Sequence, residues 1–165
     1  MIFNCEGIVW ATLKSANDRV LYLPDESGQS YPVRKSSEFR TWLNTASLPE
    51  DFYNKPHAFK VKPRTFKRHP NLLFNLVGVD LTVTEPIEDS FLIKGRVFYQ
   101  NKTYNYILID TKVKVREVVP MKLVGQLANE RAVDKLFIIE ATRVNDSIVI
   151  KNATEVDRNE NAIIV

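Results

Sequence analysis

The stretch EGIVWATLK, residues 6–14, decides the fold class. It is rich in β-branched and aromatic residues, the composition of a pleated, half-buried strand. Trp10 shares a face with Ile8 and Thr12, and a ring there is read as a core anchor in preference to an exposed platform. Moving outward, Ser-Ala-Asn-Asp at 15–18 makes a turn and 19–23 a second short strand. A loop at 25–29 follows, whose Gly28 suits positive φ. Residues 30–33 return to extended backbone, with Pro32 pointing to an edge position.

The clearest helix comes next. Ser36 or Ser37 supplies the cap and Glu38 sits in the first turn. Phe39, Trp42, Leu43 and Ala46 recur at helical spacing as one apolar stripe, and the helix stops before Pro49. Strands are predicted at 58–64 and 72–84, with a turn around His69-Pro70, and 84–89 reads as a connector.

The second half repeats much the same order. Residues 90–99 form a strand and 100–102 a turn. Residues 103–118 read as one long extended segment with a bend or bulge near Asp110-Thr111. Pro120 is placed as the first residue of a short helix over 120–129 carrying Leu123, Val124 and Leu127. Strands 136–144 and 148–156 follow, joined by the hairpin turn Asn145-Asp146. The expected class is therefore β-rich α+β. It is arranged either as two tandem small barrel-like halves, 1–84 and 85–165, or as one larger antiparallel sheet with packed helices.

Gly7 and Gly95 each lie inside a first strand, where a small residue lets the strand bend. Phe39/Trp42/Leu43 and Leu123/Val124/Leu127 would plug the two halves. On these residues, and on the order strand-strand-strand-helix-strand-strand, each half resembles the oligonucleotide/oligosaccharide-binding (OB) fold. That resemblance implies a small Greek-key barrel of a kind that often binds single strands.

Composition bounds the function. The chain has 165 residues, 44% of them hydrophobic, enough for a buried core. A single cysteine, Cys5, excludes an internal disulfide and a cysteine-based metal cluster, and favours a reducing, cytoplasmic setting. Residues 1–6 carry an acid and no basic lead-in, so no signal peptide is expected. Apolar runs are far shorter than the roughly 18 residues of a membrane span. Net charge is +3, and all of the excess falls in residues 1–84.

Most of that excess lies in 55–70, where six Lys/Arg and two His occur with no acid between Asp51 and Asp80. In a strand, Lys60, Lys62 and Arg64 share one face and Phe59 and Val61 the other. Phe66, Lys67 and Arg68 extend the basic surface into the next turn. Cations of this kind neutralise phosphates and rings stack on bases. The same ladder also suits a solvated strand face that discourages edge pairing. In 103–118, the even positions present Tyr104 and Tyr106 and then Lys112, Lys114 and Arg116, with Asp110 between. Lys94, Arg96 and Phe98 share a face of the preceding strand and are expected beside them. A one-residue bulge would invert part of this face.

No motif points to catalysis, a nucleotide cradle or a cofactor. His57 and His69 lie in basic surroundings that disfavour a divalent cation. The expected function is non-enzymatic binding of single-stranded RNA or DNA, with no membrane role. The alternative is a protein–protein assembly or regulatory module that docks an acidic partner, with the Ile163–Val165 end available for strand addition.

Overall fold

The computed structural model describes residues 4–24, 28–68, 71–113 and 115–157, with the side chains of 110–118 outside that description. Ten strands and one α-helix follow in chain order. They are β1 (Asn4–Ala11), β2 (Val20–Tyr22), β3 (Ser30–Lys35), α1 (Ser37–Thr45), β4 (His57–Thr65), β5 (Leu72–Asp80), β6 (Ser90–Gln100), β7 (Tyr104–Val113), β8 (Val115–Val124), β9 (Leu136–Val144) and β10 (Ser147–Val156). Hydrogen-bond order gives a mixed set β2-β3-β5-β4-β1 and a second mixed set β6-β7-β8-β10-β9 in which β6 also pairs with β9. Two compact units divide the chain: Gly7–Asp89, and Ser90–Val165 together with Met1–Glu6.

In the first unit the order is second-third-fifth-fourth-first strand. β3 and β5 run parallel, while β4 pairs antiparallel with both β5 and β1. An isolated bridge between Thr12 and Tyr22 joins the end of the first strand to the second. Pro32 lies opposite Val20, ahead of the β3–β5 pairing that starts at Val33. β3 is thus flanked on both sides rather than lying at an edge, and Pro32 is tolerated because no β5 partner needs its missing N–H. Helix α1 is capped by Ser36, whose Oγ accepts the Phe39 N–H at 3.1 Å. Its apolar stripe buries Phe39 and Leu43, and Trp42 stacks on Phe39 with ring centroids 5.8 Å apart. Below it, Phe52, Phe59, Phe74, Leu21, Leu72 and Leu76 are fully buried. Each such side chain contributes roughly 1.5–3 kcal/mol through removal from water.

The second unit follows the same strand order without the helix. β6-β7-β8-β10-β9 pair in sequence, and β9 returns to β6, so its five strands link in a ring. Again the third and fifth strands, β8 and β10, pair parallel, at Val124 and Val149. The core holds Ile93, Val97, Ile107, Met121, Leu123, Phe137, Ile139 and Ile148. Asn145, at φ 53°, turns the β9–β10 hairpin as its sequence predicts.

Two expectations fail here. The segment 103–118 is two strands, not one, because Lys112 lies opposite Arg116 and Val113 opposite Val115. The helix over 120–129 is absent. β8 instead runs through Pro120 to Val124 and ends at Gly125, whose φ is 117°. Pro120 survives in a strand because β8 is paired on its β7 side there, and its described pairing to β10 comes only at Val124. The alternation Met121, Leu123 inward against Lys122, Val124 outward is period two, and it overrides the helical reading. Residues 125–135 cover that end of the core with Leu127 and Ala132. They are pinned by Gln100, which donates to the Asn129 carbonyl at 2.8 Å and accepts from the Ala132 N–H at 3.0 Å.

Candidate nucleic-acid interface

Strands β6, β7 and β8 build an aromatic face on the second unit. In β7, Asn105, Ile107 and Ile109 point into the core, which leaves Tyr104, Tyr106 and Leu108 on the outer face. A bulge interrupts the β6–β7 register between Val97 and Tyr99, so Tyr99 rather than Phe98 lies opposite Tyr106. Three tyrosines therefore converge. Tyr99 stacks on Tyr104 at 5.9 Å and 28°, and Tyr106 meets both edge-on, at 6.1 Å from Tyr99 and 5.6 Å from Tyr104. Lys122, opposite Tyr106 in β8, places its ammonium 4.6 Å from the Tyr104 ring centroid. A cation over a ring face is favourable by about 0.5–1 kcal/mol at an exposed site. Tyr99 is 45% exposed and Phe98, in the bulge, 60%.

Strand β6 carries two further cations. Arg96 is exposed opposite Leu108, and Lys94 is half-buried opposite Ile138. The carboxylate Glu140 lies farther along, opposite Leu92. Of the side chains expected beside the tyrosines, Arg96 lies opposite Leu108 and Lys94 farther along β6, whereas Phe98 is displaced by the bulge. Lys112 and Arg116 face one another across β7 and β8, so the row expected along one strand is divided between two. The side chains of Lys112 and Arg116, and all of Lys114, lie outside the described residues, as do His69 and the Ile163–Val165 end.

The first unit carries the basic ladder. Val61 and Pro63 are buried, and Lys60, Lys62 and Arg64 alternate onto the other face of β4. Lys60 is exposed and lies across Gly78, where an added β-carbon would sit 3.5 Å from its Cδ. Lys62 is opposite Asn75, which on its other side pairs with Arg34 of β3, so Lys62, Asn75 and Arg34 form one row across three strands. Phe66 (41% exposed), Lys67 and Arg68 continue from the end of β4, where the Phe66 N–H donates to the Asn71 carbonyl at 2.9 Å. At the opposite end Asp80 accepts from the Thr82 N–H and hydroxyl, at 3.0 and 2.6 Å. These bonds, with Lys60 adding a smaller pull, hold its carboxyl below the usual range.

His57 has no part in this surface. It is 4% exposed, stacks on Phe52 with centroids 4.5 Å apart, and lies 2.9 Å by Nε2 from the Phe52 carbonyl. Burial lowers its pKa more than that hydrogen bond raises it, which favours the neutral ring. Among the described residues no three His, Cys, Asp or Glu side chains come together to hold a metal ion. No described helix is long and apolar enough to cross a membrane.

Sequence reasoning misses Tyr99 and Lys122. Tyr99 has the wrong parity for the face until the bulge shifts it, and Lys122 falls within the helix expected over 120–129. The apolar alternation at 121–124 is the available signal for Lys122; nothing local marks the bulge. Comparison of the chain with protein-family models, curated proteins and solved structures found no match.

Proposed function

We propose that the protein binds single-stranded nucleic acid, RNA or DNA, without catalysing a reaction, and that both units are OB-type barrels. The observation that carries this reading is the cluster Tyr99, Tyr104 and Tyr106, set on an outer sheet face with Lys122 against one ring. Tyrosines grouped on a water-facing sheet offer π-faces to splayed bases, and each base stacked is worth about 1–3 kcal/mol. Support for the barrel assignment comes from the strand order first-second-third-fifth-fourth in both units, with third and fifth parallel. In OB folds the second and third strands and their neighbouring loops form the binding face. Tyr104, Tyr106 and Lys122 stand on the second and third strands of their unit.

In this mechanism Arg96, Lys94 and Lys122 neutralise phosphates beside the stacked bases. Lys112, Lys114 and Arg116 add three further positive charges. In the first unit Lys60, Lys62, Arg64, Lys67 and Arg68 hold the strand's phosphates, with Phe66 as a further platform. Paired bases hide their faces, so a stacking site discriminates against duplex. A labelled strand titrated against the same strand annealed to its complement tests this: tighter binding of the single strand is expected, and equal or tighter binding of duplex would refute it.

A further inference from the structure

The first unit contains an open cavity of about 590 Å³ that the strand-binding mechanism does not use. Four cations line it, Arg19, Arg34, Lys35 and Arg40, while no carboxylate side chain is among its described lining residues. They come from three places: Arg19 precedes β2, Arg34 and Lys35 end β3, and Arg40 is in the first turn of α1. Pro32 and Leu73 give the cavity an apolar wall. The Lys35 ammonium donates to the Asp18 main-chain carbonyl, which fixes its position. Burial lowers the pKa of Lys35 most, Asp18 partly opposes this, and the nearby Arg40 and Arg19 lower it further. Arg40 and Arg19 are thus close enough to disfavour the Lys35 charge, and a compact anion would relieve that repulsion.

We propose that this cavity binds the phosphomonoester of a nucleotide-sized ligand. A phosphomonoester carries about −1.5 to −2 charges at neutral pH, against one for an internal diester, and presents three oxygens that arginine forks grip in pairs. The volume falls within the roughly 300–1,000 Å³ of small-ligand sites. The apolar wall matches a base or sugar, which bare phosphate lacks. Two sources share this chemistry: a free nucleoside monophosphate and the 5′-phosphorylated end of a strand. The site stands on the first unit's own geometry and does not need the tyrosine face.

The test is calorimetric titration of the full chain with a nucleoside 5′-monophosphate, the bare nucleoside, and one short single strand with either a 5′-phosphate or a 5′-hydroxyl. Arg34→Ala and Arg40→Ala remove exposed arginines of the cavity, and Lys102→Ala removes an exposed charge outside it. At least tenfold tighter binding of one phosphorylated ligand than of its unphosphorylated counterpart is expected. That preference should fall at least fivefold in each arginine variant and stay unchanged in Lys102→Ala. A preference confined to the free nucleotide, or to the strand end, identifies the source. No preference, or one lost equally in Lys102→Ala, overturns the proposal. Failure of the 5′-hydroxyl strand to bind at all would instead count against the strand-binding reading.

Discussion

Gly95 in β6 has its place because β7 crosses against it. A β-carbon there would meet the Ile107 methyl and lie 2.5 Å from the Leu108 carbonyl oxygen, which is backbone and cannot rotate away. Gly95→Ala should therefore destabilise the protein by about 1–3 kcal/mol, as overpacking does, read as a lower urea midpoint; an unchanged midpoint would show that β7 yields. His57 makes a second prediction. Its folded pKa lies below the ordinary value, so the folded state binds fewer protons than the unfolded one as pH falls. Its contribution to stability is complete above about pH 6.5 and is lost as pH drops toward the lowered folded value. Urea midpoints should fall over that window in the native protein and less steeply in His57→Gln. Cys5 is 3% exposed, and burial, with Glu6 adding to it, pushes its thiol far above the usual range. A thiol reagent should leave it untouched in the native state and modify it in denaturant; rapid native labelling would contradict this burial.

At the scale of elements, strand β4 carries the most direct prediction about charge. Replacing Lys60, Lys62 and Arg64 together by Ala removes outward-facing side chains while Phe59, Val61 and Pro63 stay buried. Strand affinity should weaken, and the slope of log K against log salt should shrink by about 0.7 for each phosphate no longer neutralised. An unchanged slope would take β4 out of the interface. This ladder is legible in the sequence because strand alternation alone decides which side chains share a face. So is α1, whose cap and stripe are both local. The tyrosine face is legible only in part: β7 alternates as read, but a bulge in β6 decides whether Phe98 or Tyr99 completes it. The false helix at 120–129 comes from Pro120, an initiator in a helix and equally acceptable in a strand stretch paired on one side. The basic cavity is hidden for another reason. Its four cations lie in three segments, and Asp18, Asp25, Glu26 and Glu38 balance the local charge in sequence.

At the scale of the whole molecule, the same strand order in both units arises from unlike sequences, one with a helix between its third and fourth strands and one with the turns of 125–135. Charge is divided unequally: the chain's net +3 is carried by residues 1–84, while 85–165 is neutral and holds the three clustered tyrosines. Stacking should therefore contribute more to binding by the second unit, with three clustered tyrosines, than to binding by the first, with Phe66 alone. The measurement that bears most directly on this account is anisotropy of a labelled single-stranded 20-mer against the native protein and Tyr104→Ala/Tyr106→Ala, across a series of salt concentrations. The account predicts that the double variant loses at least tenfold in affinity at every salt concentration, about 1.4 kcal/mol or more, with the salt slope unchanged. Equal affinity of the two proteins, or a loss that disappears as salt rises, would contradict it.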